Sequence, residues 1–126
     1  MDETKRRILL VEDEPDVVMA IRKHLEVAGF DVLTAADGEE ALAKARNLHP
    51  DLIILDLQLP KLSGLKVCTT LKHDQQCQRI PIIVLTGKDD LVDERTCREC
   101  GADAYVTKAS GTEALFKQMS GLLPPT

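Results

Sequence analysis

The stretch ILLVEDEP at residues 8–15 places four aliphatic residues directly before three acidic residues and a proline. Further short apolar segments follow about every 20 to 30 residues, at 32–36, 52–55, 82–85 and 104–106. Stretches with helical spacing lie between them, and the first contains Val17, Ile21, Leu25 and Ala28. This alternation of strand-like and helical segments predicts a parallel sheet covered by helices.

Residues that commonly begin or end helices flank the helical stretches. Pro15 suits a first turn, and Gly29 and Gly101 suit C-terminal caps. Two capping boxes are predicted from the residue pairs Asp37 with Glu40 and Ser110 with Glu113. After the helix that begins at Pro15, further helices are expected at about 38–47, 64–73, 90–100 and 112–123.

The composition of the apolar segments predicts the order of the strands. The first, third and fourth segments are uninterrupted aliphatic runs, which are typical of central parallel strands buried on both faces. The second, at 31–36, mixes polar and apolar residues, and the fifth is short. We therefore expect a doubly wound α/β fold with strand order 2-1-3-4-5 and helices on both faces. Ligands of such folds bind beyond the C-terminal strand ends, here between strands one and three.

Length and charge exclude several classes of protein. The chain has 126 residues, 44% of them hydrophobic and 29% charged, which fits one globular domain over residues 1–126. Its core is expected at about 6–123, with 124–126 as a tail or the start of a linker. A net charge of −5 argues against direct nucleic-acid binding by this segment.

The location of the protein can also be predicted. No apolar run approaches the roughly 20 residues of a membrane-spanning helix, and no apolar signal segment precedes residue 8. Four cysteines without a secretory signal are most simply reduced thiols. We expect a cytoplasmic protein without membrane attachment.

Charged and polar residues stand where the predicted strands end. Glu12, Asp13 and Glu14 follow the first strand, and the ends of the later strands carry Asp56, Thr86 and Lys108. Carboxylates gathered on adjacent strand ends repel one another, and hard oxygen ligands suit Mg²⁺ or Mn²⁺. Taken singly, each acidic residue also fits a solvated loop position. Taken together, they predict a metal site.

Four motifs now carry a family resemblance: ILLVEDEP (8–15), LDLQLPKLSG (55–64), VLTG (84–87) and GADAYVTK (101–108). In this order and spacing the chain resembles the CheY-like receiver domains of bacterial response regulators in two-component signalling. The resemblance covers about residues 6–123. It implies a flavodoxin-like (βα)5 fold and a phosphorelay signalling function in place of metabolic catalysis.

The resemblance also assigns roles to the residues at the strand ends. Asp56 would accept a phosphoryl group from a phosphohistidine on a histidine kinase or histidine phosphotransfer protein, and the domain itself would catalyse the transfer and the later loss. Asp13 would bind Mg²⁺ directly and Glu12 through water, while Asp56 and the backbone carbonyl of Gln58 complete the ligands. Lys108 would place its ammonium group against a phosphoryl oxygen.

A switch is implied as well. Thr86 matches the hydroxyl that turns toward the phosphoryl group, and Tyr105 matches the aromatic residue that follows it inward. Tyr105 also fits a half-buried edge-strand position without a switching role. The face formed by the fourth helix, fifth strand and fifth helix would then contact a downstream protein, a fused output domain or a second copy of the chain. Gln58 and Lys88 match positions that tune the lifetime of the acyl phosphate.

Some residues have structural interpretations or depart from the family pattern. Pro60 and Gly64 are expected to shape the loop after Asp56, and Ser63 fits a helix N-cap better than a nucleophile. The family usually has proline after its lysine, whereas Ala109 stands here. The Lys108–Ala109 peptide is therefore either trans with a shifted loop or cis under strain.

Cys97 and Cys100 form a CxxC pair, but it lies at a predicted helix C-terminus, where thiol pKa values are not lowered. We expect no redox or zinc function there.

Two other functions would need different residues at these positions. A metal-dependent aspartyl phosphohydrolase commonly needs an acid two residues after its nucleophile, where Gln58 stands. A flavin-binding module would need a small-residue phosphate loop after the first strand, where Glu12 to Glu14 would repel phosphate. A receiver-like protein-binding module that works without phosphorylation is the alternative, since all the site residues can be present without an efficient phosphoryl donor.

Overall fold

Strands and helices alternate along the computed structural model, which describes residues 5–87 and 94–123. The elements are β1 (Arg7–Val11), α1 (Pro15–Val27), β2 (Asp31–Ala35), α2 (Gly38–Leu48), β3 (Leu52–Asp56), α3 (Gly64–Lys72), β4 (Ile82–Thr86), α4 (Glu94–Glu99), β5 (Ala104–Thr107), a 3-10 turn (Lys108–Ser110) and α5 (Gly111–Leu122). None of the described helices is long and apolar enough to cross a lipid bilayer.

The five strands form one parallel sheet in the order β2-β1-β3-β4-β5. This confirms the predicted order. The residues of β3 and β4 are all buried, whereas β2 is buried only at Ala35. Uninterrupted aliphatic runs thus mark the strands covered on both faces, as parallel-sheet burial requires.

The core consists of two layers, one on each face of the sheet. Alternate residues of β1 point to opposite layers, with Leu9 and Val11 in one and Ile8 and Leu10 in the other. The first layer is covered by α2, α3 and α4, and the second by α1 and α5. The sheet is therefore doubly wound, and the direction of winding reverses between β1 and β3.

Most of the predicted helix boundaries are confirmed. Asp37 caps α2, because its Oδ1 accepts a hydrogen bond from the backbone N–H of Glu40 at 2.8 Å. Glu40 in turn accepts from the N–H of Ala36 at 2.9 Å. Gly29 and Gly101 follow α1 and α4 with φ angles of 99° and 102°, a region that favours glycine.

The predicted capping box of Ser110 with Glu113 is wrong. Ser110 has helical backbone angles and makes no side-chain cap. Its hydroxyl instead bonds to Oγ1 of Thr107, with 2.5 Å between the two oxygens. The 3-10 turn that follows β5 places Ser110 inside a helical turn, so it cannot adopt the extended conformation of an N-cap.

One further expectation needs correction, and another is tested only in part. The apolar stripe of α1 that packs into the core contains Val18 and Ile21 with Leu25, whereas Ala28 lies beyond the helix and is exposed. The predicted fourth helix at 90–100 is seen as Glu94–Glu99, and its first predicted residues lie outside the described part of the chain.

Candidate functional site

The polar residues singled out in the sequence meet at the C-terminal edge of the sheet. Val11 pairs with Leu55, Asp56 with Leu85, and Thr86 with Thr107, so the four strands end at similar heights. The backbone N–H of Glu12 donates to the carbonyl of Ala35 at 3.0 Å and continues the ladder one residue beyond β1. Parallel pairing thereby brings residues more than 90 positions apart to one edge.

Three carboxylates form a cluster at this edge. Oxygens of Glu12, Asp13 and Asp56 all lie within 4.8 Å of one another. Glu12 is 1% exposed and Asp56 2%, whereas Asp13 is open to solvent. Glu14 is not part of the cluster; it is exposed, and its N–H donates to Oε2 of Glu12 at 3.2 Å. The cluster thus has two buried members and one accessible member.

Lys108 places a positive charge between the two buried carboxylates. Its Nζ lies 3.2 Å from Oδ2 of Asp56 and 3.1 Å from Oε1 of Glu12. Partial burial lowers the pKa of Lys108, but the charges of Glu12 and Asp56 outweigh that effect and raise it overall. Lys108 therefore stays protonated at neutral pH and offsets part of the negative charge.

Glu12 is the carboxylate of the cluster whose ionised form is least favoured. Burial, then the hydrogen bond and charge of Asp56, raise the pKa of Glu12 to about 7, against the lowering effects of the Glu14 N–H and Lys108. Its Oε1 is buried and accepts no hydrogen bond within the described residues, although Lys108 is close. A buried carboxylate oxygen that is held by an ion pair without a well-directed hydrogen bond is costly. Three hard oxygen donors, one of them without a hydrogen bond, fit Mg²⁺.

The loop after Asp56 is held close to that residue. The N–H of Gln58 donates to Oδ1 of Asp56 at 3.3 Å, and the N–H of Gly64 donates to the carbonyl of Leu57 at 2.9 Å. A Cβ atom on Gly64 would lie 2.3 Å from the carbonyl oxygen of Asp56. Only glycine permits this close approach, so its predicted structural role is supported.

Pro60 and Ser63 complete the loop as structural residues. The carbonyl of Pro60 accepts from the N–H of Leu62 at 2.8 Å, which makes a tight turn. The hydroxyl of Ser63 accepts from the N–H of Lys66 at 3.3 Å and caps α3. The cap interpretation of Ser63 is therefore supported.

The expected switch residues lie on adjacent strands. Thr86 ends β4 and is 2% exposed, and Tyr105 lies in β5 opposite Val84, half-buried against the layer covered by α2, α3 and α4. Gln58 is exposed beside Asp56. Lys88, the other candidate for lifetime tuning, lies outside the described residues.

The Lys108–Ala109 peptide is trans, because no peptide bond among the described residues is cis. Of the two alternatives that the sequence left open, the chain adopts the unstrained one. The 3-10 turn over Lys108–Ser110 accommodates Ala109 directly after the site lysine.

The four cysteines lie in or against the core layer covered by α2, α3 and α4. All four are thiols, and Cys97 is buried while Cys100 is half-buried. Burial raises the pKa of Cys68, whose Sγ lies 3.5 Å from the carbonyl oxygen of Cys100, to about 12. A thiol with so high a pKa is a poor nucleophile at neutral pH.

Sequence reasoning missed one feature next to the site. Nζ of Lys61, in the loop after Asp56, lies 3.5 Å from Oδ2 of Asp37 and 3.5 Å from Oε1 of Glu39 at the start of α2. The capping box predicted the role of Asp37 at the start of α2, but no local sequence pattern predicts its ion pair with Lys61.

Comparison with known proteins identifies the family. The family model described as the response regulator receiver domain matches residues 8–120. The chain belongs to the response regulator receiver domain family. Receiver domains of this family act in two-component signalling, and the strand order found here is that of the CheY fold.

Relatives and solved structures agree with this membership. The receiver domain is 50% identical over 118 residues to the alkaline phosphatase synthesis transcriptional regulatory protein PhoP of Bacillus subtilis, covering 94% of this chain and 48% of that protein. It resembles the chemotaxis response regulator CheY4 of Vibrio cholerae, with 30% identity, a TM-score of 0.85, and coverage of 94% and 99%.

A third comparison bears on the metal. The receiver domain of the sensor histidine kinase PA1611 of Pseudomonas aeruginosa has 30% identity, a TM-score of 0.85, and coverage of 94% and 97%. Its structure has a magnesium ion coordinated in the active-site cleft. This chain spans about half the length of the curated relatives it matches, such as 48% of PhoP.

Proposed function

We propose that this receiver domain accepts a phosphoryl group on Asp56 from a phosphohistidine of a histidine kinase or histidine phosphotransfer protein. The observation that carries the proposal is the position of Asp56, buried at the end of β3 between the acidic cluster and the ammonium of Lys108. Two further carboxylates and a lysine around one buried aspartate provide the charges that phosphoryl transfer requires.

Asp13 and Asp56 are the proposed direct ligands of Mg²⁺, with Mn²⁺ as a substitute. Glu12 would act through water, and the carbonyl of Gln58 would complete the protein ligands. The ion supplies neutralisation of the charge on the phosphoryl oxygens. Asp13 is the exposed member of the cluster and so offers the route of entry.

In the transfer itself, a carboxylate oxygen of Asp56 attacks phosphorus, and the bond from phosphorus to the imidazole nitrogen of the donor breaks. The donor imidazole leaves with the electron pair of that bond and takes up one proton from solvent, which leaves it neutral. The ammonium of Lys108 is already 3.2 Å from Oδ2 of Asp56, so it can pair with a negatively charged phosphoryl oxygen once the group is bound to Asp56. Water attack on the acyl phosphate later restores Asp56, and Gln58 and Lys88 are proposed to set that rate.

The phosphoryl group then biases two conformations of the domain. It adds a charge of about −1.5 to −2 and strong acceptor oxygens. The hydroxyl of Thr86 and the ammonium of Lys108 are the proposed donors, and Tyr105 would move with Thr86. The face formed by α4, β5 and α5 would change as a result.

The partners follow from this role. The changed face would contact a downstream protein, a fused output domain or a second copy of the chain. The relatives PhoP and RpaA are named as transcriptional regulators and are about twice as long. With its net charge of −5, this segment is proposed to make no direct contact with nucleic acid. We infer one receiver domain with its core at 6–123. Four thiols fit a reducing compartment, so we place the protein in the cytoplasm.

Intact mass spectrometry after incubation with acetyl phosphate and Mg²⁺ tests the proposal. We expect one added phosphoryl group in the wild type, and none in Asp56→Asn or in excess EDTA. Asp51→Asn is the matched control, because Asp51 is an exposed aspartate at the opposite end of β3. If the wild type gains no mass and binds no beryllium fluoride, the domain is instead a protein-binding module that works without phosphorylation.

A further inference from the structure

The loop between β3 and α3 is fastened at two places, and Gln58 lies between them. At its base, the N–H of Gly64 donates to the carbonyl of Leu57 at 2.9 Å. At its tip, the carbonyl of Pro60 accepts from the N–H of Gly38, the first residue of α2, at 3.4 Å. The Gln58 backbone lies in the segment between these two fastenings, and its N–H donates to Oδ1 of Asp56 at 3.3 Å.

The contact between the tip and α2 is direct. A Cβ atom on Gly38 would lie 2.5 Å from Cβ of Leu62, so the helix start and the loop touch at backbone distance. Lys61 occupies this tip with a φ of 69°, in the left-handed region that few residues other than glycine and asparagine adopt. The conformation of the tip runs against the local preference of lysine and needs support from elsewhere.

Ion pairs supply that support. Lys61 lies 3.5 Å from both Asp37 and Glu39, and these two charges raise its pKa. Asp37 uses its two oxygens differently: Oδ1 caps α2 through Glu40, and Oδ2 faces Lys61. One carboxylate thus fixes both the start of α2 and the tip of the loop.

We infer that Lys61 is a positioning residue for the metal site, which it serves by holding the β3–α3 loop so that the carbonyl of Gln58 faces the ion. This inference rests on the proposed function, since it concerns the Mg²⁺ ligands given there. Lys61 is 57% exposed at its side chain, Glu39 67% and Asp37 19%. Exposed pairs of this kind are weak, so we expect a two- to fivefold effect on Mg²⁺ affinity, about the range of such pairs.

Two substitutions separate positioning from simple electrostatics. Lys61→Asn removes the charge but keeps a residue that tolerates the left-handed region, and Asp37→Asn removes the charge but keeps an N-cap. Electrostatic attraction alone requires opposite results: loss of a positive charge would tighten Mg²⁺ binding, and loss of a negative charge would weaken it. Positioning requires that both substitutions weaken binding.

The measurement is the dissociation constant of Mg²⁺ by isothermal titration calorimetry on the unphosphorylated chain. We expect Lys61→Asn to weaken binding about two- to fivefold. Asp37→Asn should weaken it less, because Glu39 remains. The double variant should equal Lys61→Asn alone, and the difference from wild type should shrink in about 1 M salt, which screens exposed pairs. Lys66→Gln, at an exposed lysine of α3, should not weaken binding.

Three results would overturn the inference. Tighter binding by Lys61→Asn would mean that the lysine acts only as a charge. Unchanged binding in both single variants would mean that the loop is held without the ion pairs. A wild type that binds no Mg²⁺ would overturn the proposed metal site along with it, whereas the first two results would leave that site intact.

Discussion

The ammonium of Lys108 lies 3.2 Å from Oδ2 of Asp56 and so connects the end of β5 to the end of β3 across the intervening strand β4. The same ammonium lies 3.1 Å from Glu12, which follows β1. Among the described residues, this lysine forms ion pairs with both buried carboxylates and offsets part of their charge. Changes at Lys108 should therefore affect both the chemistry and the stability of the domain.

Replacing Lys108 with alanine should slow phosphorylation of Asp56 by acetyl phosphate about a hundredfold, the usual cost of losing one donor to a developing charge. Rates are measured by intact mass at saturating Mg²⁺. Lys117→Ala, at an exposed lysine of α5, should react at the wild-type rate. A Lys108→Ala variant as fast as the wild type would show that the lysine only balances charge in the resting state.

Glu12 should make stability depend on pH. Its pKa is about 7 in the folded chain against 4.5 for an ordinary glutamate, so the folded state binds the proton more tightly. This stabilisation is fully present below pH 4.5 and is lost as pH rises through 7. The free energy of unfolding of the metal-free wild type, taken relative to that of Glu12→Gln, should therefore fall by as much as about 3 kcal/mol between pH 4 and pH 8.

Urea denaturation in EDTA measures that difference. Glu113→Gln, at an exposed glutamate of α5, serves as the control and should show no such trend. Saturating Mg²⁺ should remove this loss of stability at high pH, because a bound ion would stabilise the ionised carboxylates. A constant difference between wild type and Glu12→Gln across this pH range would contradict the raised pKa.

Gly64→Ala should destabilise the domain by about 1 to 3 kcal/mol or more, as overpacking does. The added methyl group would meet the backbone of Asp56 and Leu57, neither of which can move away without disturbing the site. Gly121→Ala is the matched control, because no atom lies within 4 Å of its added Cβ in α5. It should raise stability by about 0.5 to 1 kcal/mol. Equal behaviour of the two variants in thermal melts would contradict the packing described at Gly64.

Thiol labelling should separate Cys100 from the other cysteines. Cys68, Cys77 and Cys97 are buried and Cys100 is half-buried. A disulfide reagent such as dithiobis-nitrobenzoate should label Cys100 first in the native protein, and all four thiols should react in denaturant. Rapid labelling of Cys68 would contradict its high pKa and burial.

Much of this fold could be predicted from sequence because its signals are local. Uninterrupted aliphatic runs identified β1, β3 and β4 as central, and strand ends in a parallel sheet necessarily share one edge. The meeting of Glu12, Asp56 and Lys108 then followed from topology alone. The cap at Asp37 was predictable for the same reason, since both hydrogen bonds of the capping box join residues within four positions of each other.

Features that depend on tertiary contacts were not predictable. The hydroxyl of Ser110 bonds to Thr107 instead of capping α5, because the chain leaves β5 in a 3-10 turn. Val18 packs against the core where Val17 was predicted, because the rotation of α1 against the sheet decides which side chain faces inward. The contact of Lys61 with α2 exists only once the loop has folded onto that helix.

Chemical trapping of the phosphorylated residue tests the central proposal most directly. After reaction with acetyl phosphate and Mg²⁺, borohydride reduces an acyl phosphate to the alcohol, and peptide mapping by mass spectrometry locates the resulting homoserine. We expect homoserine at position 56 alone, and none when EDTA is present. Homoserine at Asp13 or elsewhere, or none after a confirmed gain of phosphate, would contradict the assignment of Asp56 as the phosphoacceptor.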